Sequence, residues 1–175
     1  MAGQHGPALN GTGEGEDGGL VVPGVLLALP GGGVPDPGPR GARQTDAALA
    51  LMHEGLGTLV ADDAVMLRRE GDALVGRCPR NSQGLMAVRD LGVVDAAALC
   101  GDSSVSARCA VRLVVELQPE SGSTTEDALL HGRHDHIEYL GVTLPRVRFT
   151  ATSQRPVAAL IHAAAAIHLR ESTRR

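Results

Sequence analysis

Apolar residues occur in short runs along the chain, separated by polar or glycine-rich segments. Residues 20–29 (LVVPGVLLAL) are apolar at nearly every position, which is typical of a buried strand. Glu70-Gly71-Asp72 predicts a hairpin turn, and Pro145 favours a sheet edge or a bulge for the strand that contains it. The polar stretch 118–134 is interpreted as a surface loop. Further strands are predicted at 59–60, 65–69, 73–77, 111–117 and 142–150.

Two segments carry helix signals. Thr45 is a suitable N-cap and Gly55 a suitable C′ residue, so a helix is predicted over 45–54. Pro156 fits the first turn of a second helix over 157–171. A strand, a glycine loop, a helix and a strand come first, and more strands and a closing helix follow. This order predicts an α/β fold in which helices flank a mixed sheet.

Glycine and proline content divides the chain near residue 43. The first 43 residues contain 13 of the 23 glycines and 6 of the 10 prolines. We expect residues 1–19 to be a flexible N-terminal segment and residues 20–172 to form a single domain. Within that domain, residues 30–44 are predicted to be a loop, because their prolines and glycines disfavour a helix or a central strand.

Charge and composition exclude several kinds of partner. The net charge is −4, and only 1% of residues are aromatic. Neither value fits a protein that binds nucleic acid or an anionic membrane. The three cysteines have no CxxC spacing and are interpreted as reduced thiols. The N-terminus lacks the features of a signal peptide and no apolar run could span a bilayer, so we expect a cytoplasmic protein.

The glycine-rich segment before the first helix is a candidate phosphate site. Backbone N–H groups of Gly31, Gly32 and Gly33 and the helix N-terminus could face an anion, and the Thr45 hydroxyl could hold Mg²⁺. An intact phosphate-binding loop also supplies a Lys, whereas Gln44 is neutral. Either Arg40 or Arg43 could supply the missing charge. The alternative interpretation of the segment is a solvated linker.

Asp62 and Asp63 form a second candidate site, because they follow a predicted buried strand. Strand ends are where α/β folds place functional groups. A carboxylate in this position could accept a hydroxyl proton or hold Mg²⁺. The alternative is a turn with an N-capping Asp. The histidines between 131 and 136 match no common zinc spacing and are interpreted as solvent-exposed polar residues.

Several segments resemble the C-terminal, catalytic domain of the HPr kinase/phosphorylase family. Residues 48–101 contain LVADD and the signature GLMAVRDLGVVD at 84–95, which is close to the family's GLLEVRGLGIID. VRLVVEL and YLGVTLPRVRF resemble later strands of the family. ATSQRPVAALIHAAA aligns without gaps on the family's PVRPGRNLAVLIEVAA. The resemblance covers residues 45–170.

The resemblance implies a P-loop α/β domain that usually assembles as a hexamer. It implies phosphorylation of a serine of the phosphocarrier protein HPr, with Mg-ATP or pyrophosphate as donor, and reversal by inorganic phosphate. It assigns the acidic pair to Asp62 and Asp63, with Asp62 as the base, and a second late-loop arginine to Arg155. Cofactor binding is assigned to Gly31, Gly32, Gly33, Gln44 and Thr45, with Thr45 also as the metal ligand.

Departures from the family pattern fall on charged positions. PGGG is followed by an apparent insertion, and Gln44-Thr45 stands where GxxGxGKS has Lys-Ser. Ala87 replaces the signature Glu, and Asp90 and Thr152 replace a Gly and an Arg. Two hypotheses follow. The first is an HPr serine kinase/phosphorylase-like protein with weak or lost activity, and the second is a non-catalytic regulatory relative that binds a protein partner or a phosphate metabolite.

Overall fold

Thirteen strands in three sheets and three α-helices form the computed structural model, which describes residues 13–14, 18–37, 42–119, 133–151 and 154–171. The strands are β1 (Gly13–Glu14), β2 (Leu20–Pro23), β3 (Val25–Leu29), β4 (Gly32–Asp36), β5 (Thr58–Ala61), β6 (Ala64–Glu70), β7 (Ala73–Arg77), β8 (Leu85–Val88), β9 (Gly92–Asp95), β10 (Arg108–Val111), β11 (Val114–Pro119), β12 (Arg133–Tyr139) and β13 (Val142–Ala151). The helices are α1 (Ala42–His53), α2 (Ala96–Cys100) and α3 (Val157–Glu171), with 3₁₀ turns at Arg80–Ser82 and Asp102–Ser104.

The largest sheet has eight strands in the order β1-β2-β6-β7-β10-β4-β3-β5. Its pairs are antiparallel except for β10 with β4, so the sheet is mixed. Residues of β3 alternate between two apolar clusters. Leu27 packs with Leu51 of α1 and Leu169 of α3. Leu26 packs with Val60 and with residues of the three-stranded sheet formed by β11, β12 and β13. The predicted α/β fold with a mixed sheet flanked by helices is confirmed.

Two smaller sheets complete the fold. In the first, β13 lies between β11, to which it is parallel, and β12, to which it is antiparallel. The second is the β8–β9 hairpin, which leads into α2. Among the described residues no helix is long and apolar enough to cross a membrane.

The predicted helix at 45–54 begins three residues earlier, at Ala42. Thr45 is therefore not the N-cap, and its hydroxyl bonds to Asp62 instead of a backbone N–H of its own helix. The predicted end is confirmed: Gly55 has φ 70°, and the N–H of Leu56 donates to the Leu51 carbonyl at 2.9 Å. The helix over 157–171 has the predicted bounds.

The single strand predicted over 20–29 is wrong, because Gly24 divides it into β2 and β3. Gly24 has φ 135°, and a Cβ at this position would collide with the Asp36 carbonyl. The loop predicted over 30–44 is also wrong in part, since it contains β4 and the start of α1. Pro35 is tolerated because β10 pairs with β4 only at Gly33, so the ladder at Pro35 has a partner on one side.

The later strands depart from the prediction in two places. The strand expected over 111–117 is two strands, β10 and β11, in different sheets, with Arg112 and Leu113 between them. Pro145 lies in the middle strand of its sheet and not in an edge strand. It is accommodated because β11 pairs with β13 only from Arg146 onward.

Other boundaries agree with the prediction or lie outside the described residues. The strands at 59–60 and 142–150 and the hairpin turn at Gly71 are confirmed. Gly13 and Glu14 pair with β2, while residues 1–12 and 15–17 of the predicted flexible segment lie outside the described residues. Most of the predicted loop 118–134 is also outside them. The domain bounds stay a prediction.

Candidate active site

Asp62 and Asp63, which follow β5, lie in a hollow of about 470 Å³. Gln44 and Thr45 line the same hollow from the first turn of α1, and the β8–β9 hairpin contributes a further wall. Gly24, between β2 and β3, also lines it. The fold therefore brings together four of the predicted site residues, and we refer to this hollow as the Asp62 pocket.

Asp62 is buried, with 5% of its surface exposed, and both of its carboxylate oxygens accept hydrogen bonds. Oδ1 accepts from the Thr45 hydroxyl at 3.1 Å, and Oδ2 accepts from the backbone N–H of Ala87 at 2.7 Å. Burial raises the pKa of Asp62 above its ordinary value of 3.8, and the bonds from Ala87 and Thr45 oppose the rise. Asp62 thus connects α1, the end of β5 and β8.

Asp63 has a different environment, although it is the next residue. It is exposed and has φ 71°, a left-handed conformation that Asp tolerates better than most residues. The conformation is held by its carbonyl, which accepts from the Gly24 N–H at 3.1 Å. The pocket therefore contains one buried and one exposed carboxylate.

Gln44 occupies the position that the resemblance gives to a lysine, and its side chain is engaged inside the protein. It is 7% exposed, and its Nε2 donates to Asp36 Oδ1 at 3.2 Å. The same oxygen accepts from the backbone N–H of Leu117 at 3.3 Å. Asp36 is itself 5% exposed at the end of β4. Sequence reasoning missed this pair, since only the fold shows that Asp36 is buried beside α1.

The described lining of the Asp62 pocket carries more negative than positive charge. Two carboxylates face one guanidinium, that of Arg89, which the sequence prediction had not included. The chain has 16 arginines and no lysine, so no lysine can replace the missing one. Such a lining does not match the charge of a triphosphate.

The oxygen donors of the pocket do fit Mg²⁺. A hydroxyl and two carboxylates are ligands that this ion takes, usually with waters and substrate phosphates in its remaining positions. Thr45 and Asp63 are the residues that would hold it, whereas Ala87 presents a methyl group where the family signature has Glu. No group of three or more His, Cys, Asp or Glu suited to a metal ion occurs among the described residues.

The three glycines predicted to bind phosphate lie apart from the pocket. Gly31 belongs to the turn between β3 and β4, and Gly32 and Gly33 begin β4, whereas the pocket lies beyond its other end, at Asp36. A Cβ added to Gly31, Gly32 or Gly33 would first meet Leu169, Arg112 or Cys109 respectively, and none of these lines the Asp62 pocket.

A different segment has the spacing of the phosphate-binding loop. Since β4 ends at Asp36 and α1 begins at Ala42, residues 37–41 connect this strand to this helix. Residues 38–45 (GPRGARQT) fit GxxGxGKS without an insertion, with Arg43, Gln44 and Thr45 in place of the last Gly, Lys and Ser. This signal was present in the sequence, but a strand starting at Gly32 was needed to find it. Arg40 lies outside the described residues.

Arg155 lines another hollow, together with Arg43, and not the Asp62 pocket. It is half-buried, and one of its N–H groups donates to the Thr150 carbonyl at 3.3 Å. The catalytic role assigned to Arg155 stays a prediction. The histidine stretch is described only from 133; His134 and His136 are exposed, as expected, while Asp135 pairs with Arg146.

Comparisons with known proteins show the family of the chain. The family model described as HPr Serine kinase C-terminal domain matches residues 19–174. The HPr kinase/phosphorylase of Clostridium acetobutylicum is 35% identical over 146 residues, which are 83% of this chain and 47% of that protein. The HPr kinase/phosphorylase of Cupriavidus necator is 34% identical over 146 residues, 83% of this chain and 44% of that protein.

A solved structure has the same fold. The Hpr(Ser) kinase/phosphatase from Coxiella burnetii matches with a TM-score of 0.79 at 24% identity, over 87% of this chain and 92% of that one. The chain spans about half the length of the curated relatives it matches. From the matched family model and these relatives, the chain belongs to the HPr serine kinase C-terminal domain family.

Proposed function

We propose that the chain is a phosphoryl-transfer domain that acts on a serine of the phosphocarrier protein HPr, with Mg-ATP as donor and with weak activity. The bond from the Thr45 hydroxyl to Asp62 carries this proposal. It places a hydroxyl at a helix N-terminus beside a strand-end carboxylate, an arrangement suited to holding a metal-bound phosphate and deprotonating a nearby hydroxyl. The relatives named HPr kinase/phosphorylase support the choice of substrate.

Within this proposal the two carboxylates have separate roles. Asp62 accepts the proton of the serine hydroxyl, since burial raises its pKa and so makes the carboxylate a stronger base. Hydrogen bonds from Thr45, Ala87 and the backbone of Asp63 hold the carboxylate in place. Asp63, at the exposed side of the pocket, holds Mg²⁺ together with Thr45.

Weak activity follows from the positive charge that is missing at position 44 and from the net negative charge of the described pocket lining. Loss of one charge-assisted contact to a phosphate costs about 1.5–3 kcal/mol, or about ten- to a hundred-fold in affinity. Gln44 replaces a lysine, and its amide is bonded to Asp36. Ala87 supplies a backbone N–H to Asp62 but no carboxylate to a metal.

The alternative is a non-catalytic regulatory relative that binds a protein partner or a phosphate metabolite. The engagement of Gln44 by Asp36 favours it, because the residue at the lysine position is built into the protein interior. For either function we propose a cytoplasmic protein that partners HPr or a related protein and assembles as a homo-oligomer, a hexamer by resemblance.

Two measurements test the proposal. Isothermal titration calorimetry with Mg-ATP is expected to give an affinity about ten- to a hundred-fold below that of the Clostridium acetobutylicum relative measured alongside. Transfer of labelled phosphate to HPr is expected to be slow and to fall about 10²-fold or more in Asp62→Asn. Arg68→Gln, on the exposed part of β6, is the surface control.

Each outcome separates the two functions. Slow transfer that disappears in Asp62→Asn supports the enzyme. HPr binding without transfer and without Mg-ATP binding favours the regulatory relative. Micromolar affinity for Mg-ATP would show that the missing lysine does not weaken nucleotide binding, and would contradict the proposed cause of weak activity.

A further inference from the structure

The imidazole rings of His134 and His168 lie side by side, with their centroids 5.4 Å apart and their planes tilted by 37°. His134 belongs to β12, an edge strand of the three-stranded sheet, and His168 belongs to α3. His134 is exposed and His168 is half-buried, so solvent reaches both rings. We refer to these two side chains as the histidine pair.

Buried neighbours fix the backbone positions of both histidines. His134 is paired across the sheet with Val147, and His168 directly precedes Leu169 in α3. Val147 and Leu169 are each 2% exposed and belong to the same apolar cluster. The core therefore holds the two imidazoles close together on a strand and a helix, and sites built on such elements are more precise than sites on loops.

The spacing of the two rings fits a metal ion bound between them. A tetrahedral zinc ion with Zn–N bonds of about 2.0–2.1 Å holds the centroids of two imidazole ligands about 5 Å apart. The centroids of the histidine pair are 5.4 Å apart. The outer torsion of a histidine side chain has a broad range, so each ring can turn a nitrogen toward the ion without a change in the backbone.

Imidazole ligands also select the kind of ion. Zn²⁺, Cu²⁺ and Ni²⁺ bind imidazole nitrogen well, whereas Mg²⁺ prefers oxygen ligands such as those of the Asp62 pocket. Since no group of three or more metal-binding His, Cys, Asp or Glu occurs in the described part of the chain, the histidine pair supplies two ligands. The other two tetrahedral positions are left to water or to a small ligand from solution.

We propose that the histidine pair binds a zinc ion through one nitrogen of each ring, at a site separate from the Asp62 pocket that links β12 to α3. The spacing within the histidine-rich stretch gave no sign of this site, because one of the two ligands lies on the last helix. Zinc binding is expected to stabilise the folded chain, since only the fold brings the two rings together. The site does not depend on phosphoryl transfer and would operate in either of the functions proposed above.

The test is calorimetric titration of the full chain, without a histidine affinity tag, with ZnCl₂ in a buffer free of Mg²⁺. His134→Gln and His168→Gln are each expected to weaken zinc binding at least about tenfold, because even a group that only orients a metal ligand contributes about 10- to 100-fold. Zinc is expected to raise the melting temperature of the parent chain more than that of either variant. Titration with MgCl₂ should not distinguish the parent chain from these two variants.

A spectroscopic measurement counts the ligands. With Cu²⁺ in place of zinc, electron paramagnetic resonance is expected to show coupling to two imidazole nitrogens in the parent chain. In His134→Gln and in His168→Gln the coupling to at least one of these nitrogens should be lost. Circular dichroism confirms that each variant is folded.

Three control variants locate the zinc site. His136→Gln removes another exposed histidine of β12, and His162→Gln removes another histidine of α3; both are expected to bind zinc as the parent chain does. Asp63→Asn, in the Asp62 pocket, is expected to keep the zinc site that His134→Gln loses.

Three outcomes would overturn the proposal. If the parent chain does not bind zinc, the contact between the two rings is packing alone. If His168→Gln binds zinc as tightly as the parent chain, the ion is held without α3. If Asp63→Asn alone loses zinc binding, the ion occupies the Asp62 pocket and not the histidine pair.

Discussion

The Thr45 hydroxyl donates to Asp62 Oδ1 at 3.1 Å, across 17 residues of sequence. The bond joins the first turn of α1 to the end of β5, and the second oxygen of Asp62 holds the backbone of Ala87 in the β8–β9 hairpin. A single buried carboxylate therefore positions three walls of the Asp62 pocket. The same bonds that could serve catalysis also stabilise the fold.

Removal of this carboxylate is expected to destabilise the protein. Asp62→Ala leaves the buried Thr45 hydroxyl and the Ala87 N–H without their acceptor, and each such loss costs about 1–3 kcal/mol. We expect a decrease of about 2–4 kcal/mol in the free energy of unfolding, measured by urea denaturation. Asp63→Asn is the matched control, because Asn tolerates φ 71° and the residue is exposed; a change within about 0.5 kcal/mol is expected. Equal losses in the two variants would contradict the structural role of Asp62.

Asp135 is expected to support stability against acid. Hydrogen bonds from Arg146, together with the charges of Arg146 and Arg148, hold the pKa of Asp135 below 3.8. Because the pKa is lower in the folded state, this contribution is present above pH 3.8 and is lost as the pH falls through the lower, folded value.

Urea midpoints for Asp135→Asn and the parent chain should therefore differ near neutral pH and converge as the pH falls below 3.8. The difference in urea midpoint between Asp62→Asn and the parent chain should change with pH in the opposite direction, since burial raises the pKa of Asp62. The parent chain should lose stability relative to Asp62→Asn as the pH rises from below 3.8 through the folded pKa. Asp72→Asn, in the exposed turn after β6, is the control. Parallel curves for Asp135→Asn and Asp72→Asn would contradict a role for the Arg146 pair.

Gly24 is expected to tolerate no side chain. Its φ of 135° strains any other residue, and a Cβ would meet the Asp36 carbonyl. Gly71 also has positive φ, at 64°, but a Cβ there meets nothing within 4 Å. Gly71→Ala therefore measures strain alone, about 1 kcal/mol, and Gly24→Ala is expected to cost at least about 3 kcal/mol. Similar melting temperatures for the two variants would show that β2 and β3 can shift to relieve the contact.

Signals that act over a few residues made parts of the fold predictable. The turn at Gly71 and the helix that follows Pro156 were predicted from local sequence because the residues that define them are neighbours. Gly55 likewise ends α1 through bonds to the turn just before it. The strand-end position of Asp62 and Asp63 was predicted from the apolar run that precedes them.

Features that depend on distant segments were not predictable. Pro35 excluded a central strand on local grounds, but β4 forms because its second neighbour in the sheet pairs only at Gly33. Asp36 is buried because the Leu117 N–H and Gln44 reach it, and both contacts need the completed fold. With β4 missed, the search for a phosphate-binding loop began at Gly31, at the end of the strand opposite the Asp62 pocket.

Stronger nucleotide binding is expected to require a change at Asp36 as well as at Gln44. A lysine at position 44 would lie beside a buried carboxylate, and an ion pair with Asp36 would satisfy it there. Gln44→Lys alone should therefore leave the affinity for Mg-ATP almost unchanged. Asp36→Asn keeps an acceptor for the Leu117 N–H while it removes the competing charge. Ala87→Glu adds a carboxylate to the pocket lining, where the family signature has one.

The combined variant Asp36→Asn, Gln44→Lys, Ala87→Glu is expected to bind Mg-ATP about ten- to a hundred-fold more tightly than the parent chain, since it regains one charge-assisted phosphate contact and a metal ligand. Calorimetry gives the affinity, and transfer of labelled phosphate to HPr shows whether activity increases. Asp36→Asn alone, which adds no positive charge, is the control.

Phosphoryl transfer uses charge, metal and base together, so the three changes should act non-additively. If Gln44→Lys alone matched the combined variant, Asp36 would not compete for the lysine. If the combined variant were folded but showed neither binding nor transfer, the regulatory function would be the better account of this chain.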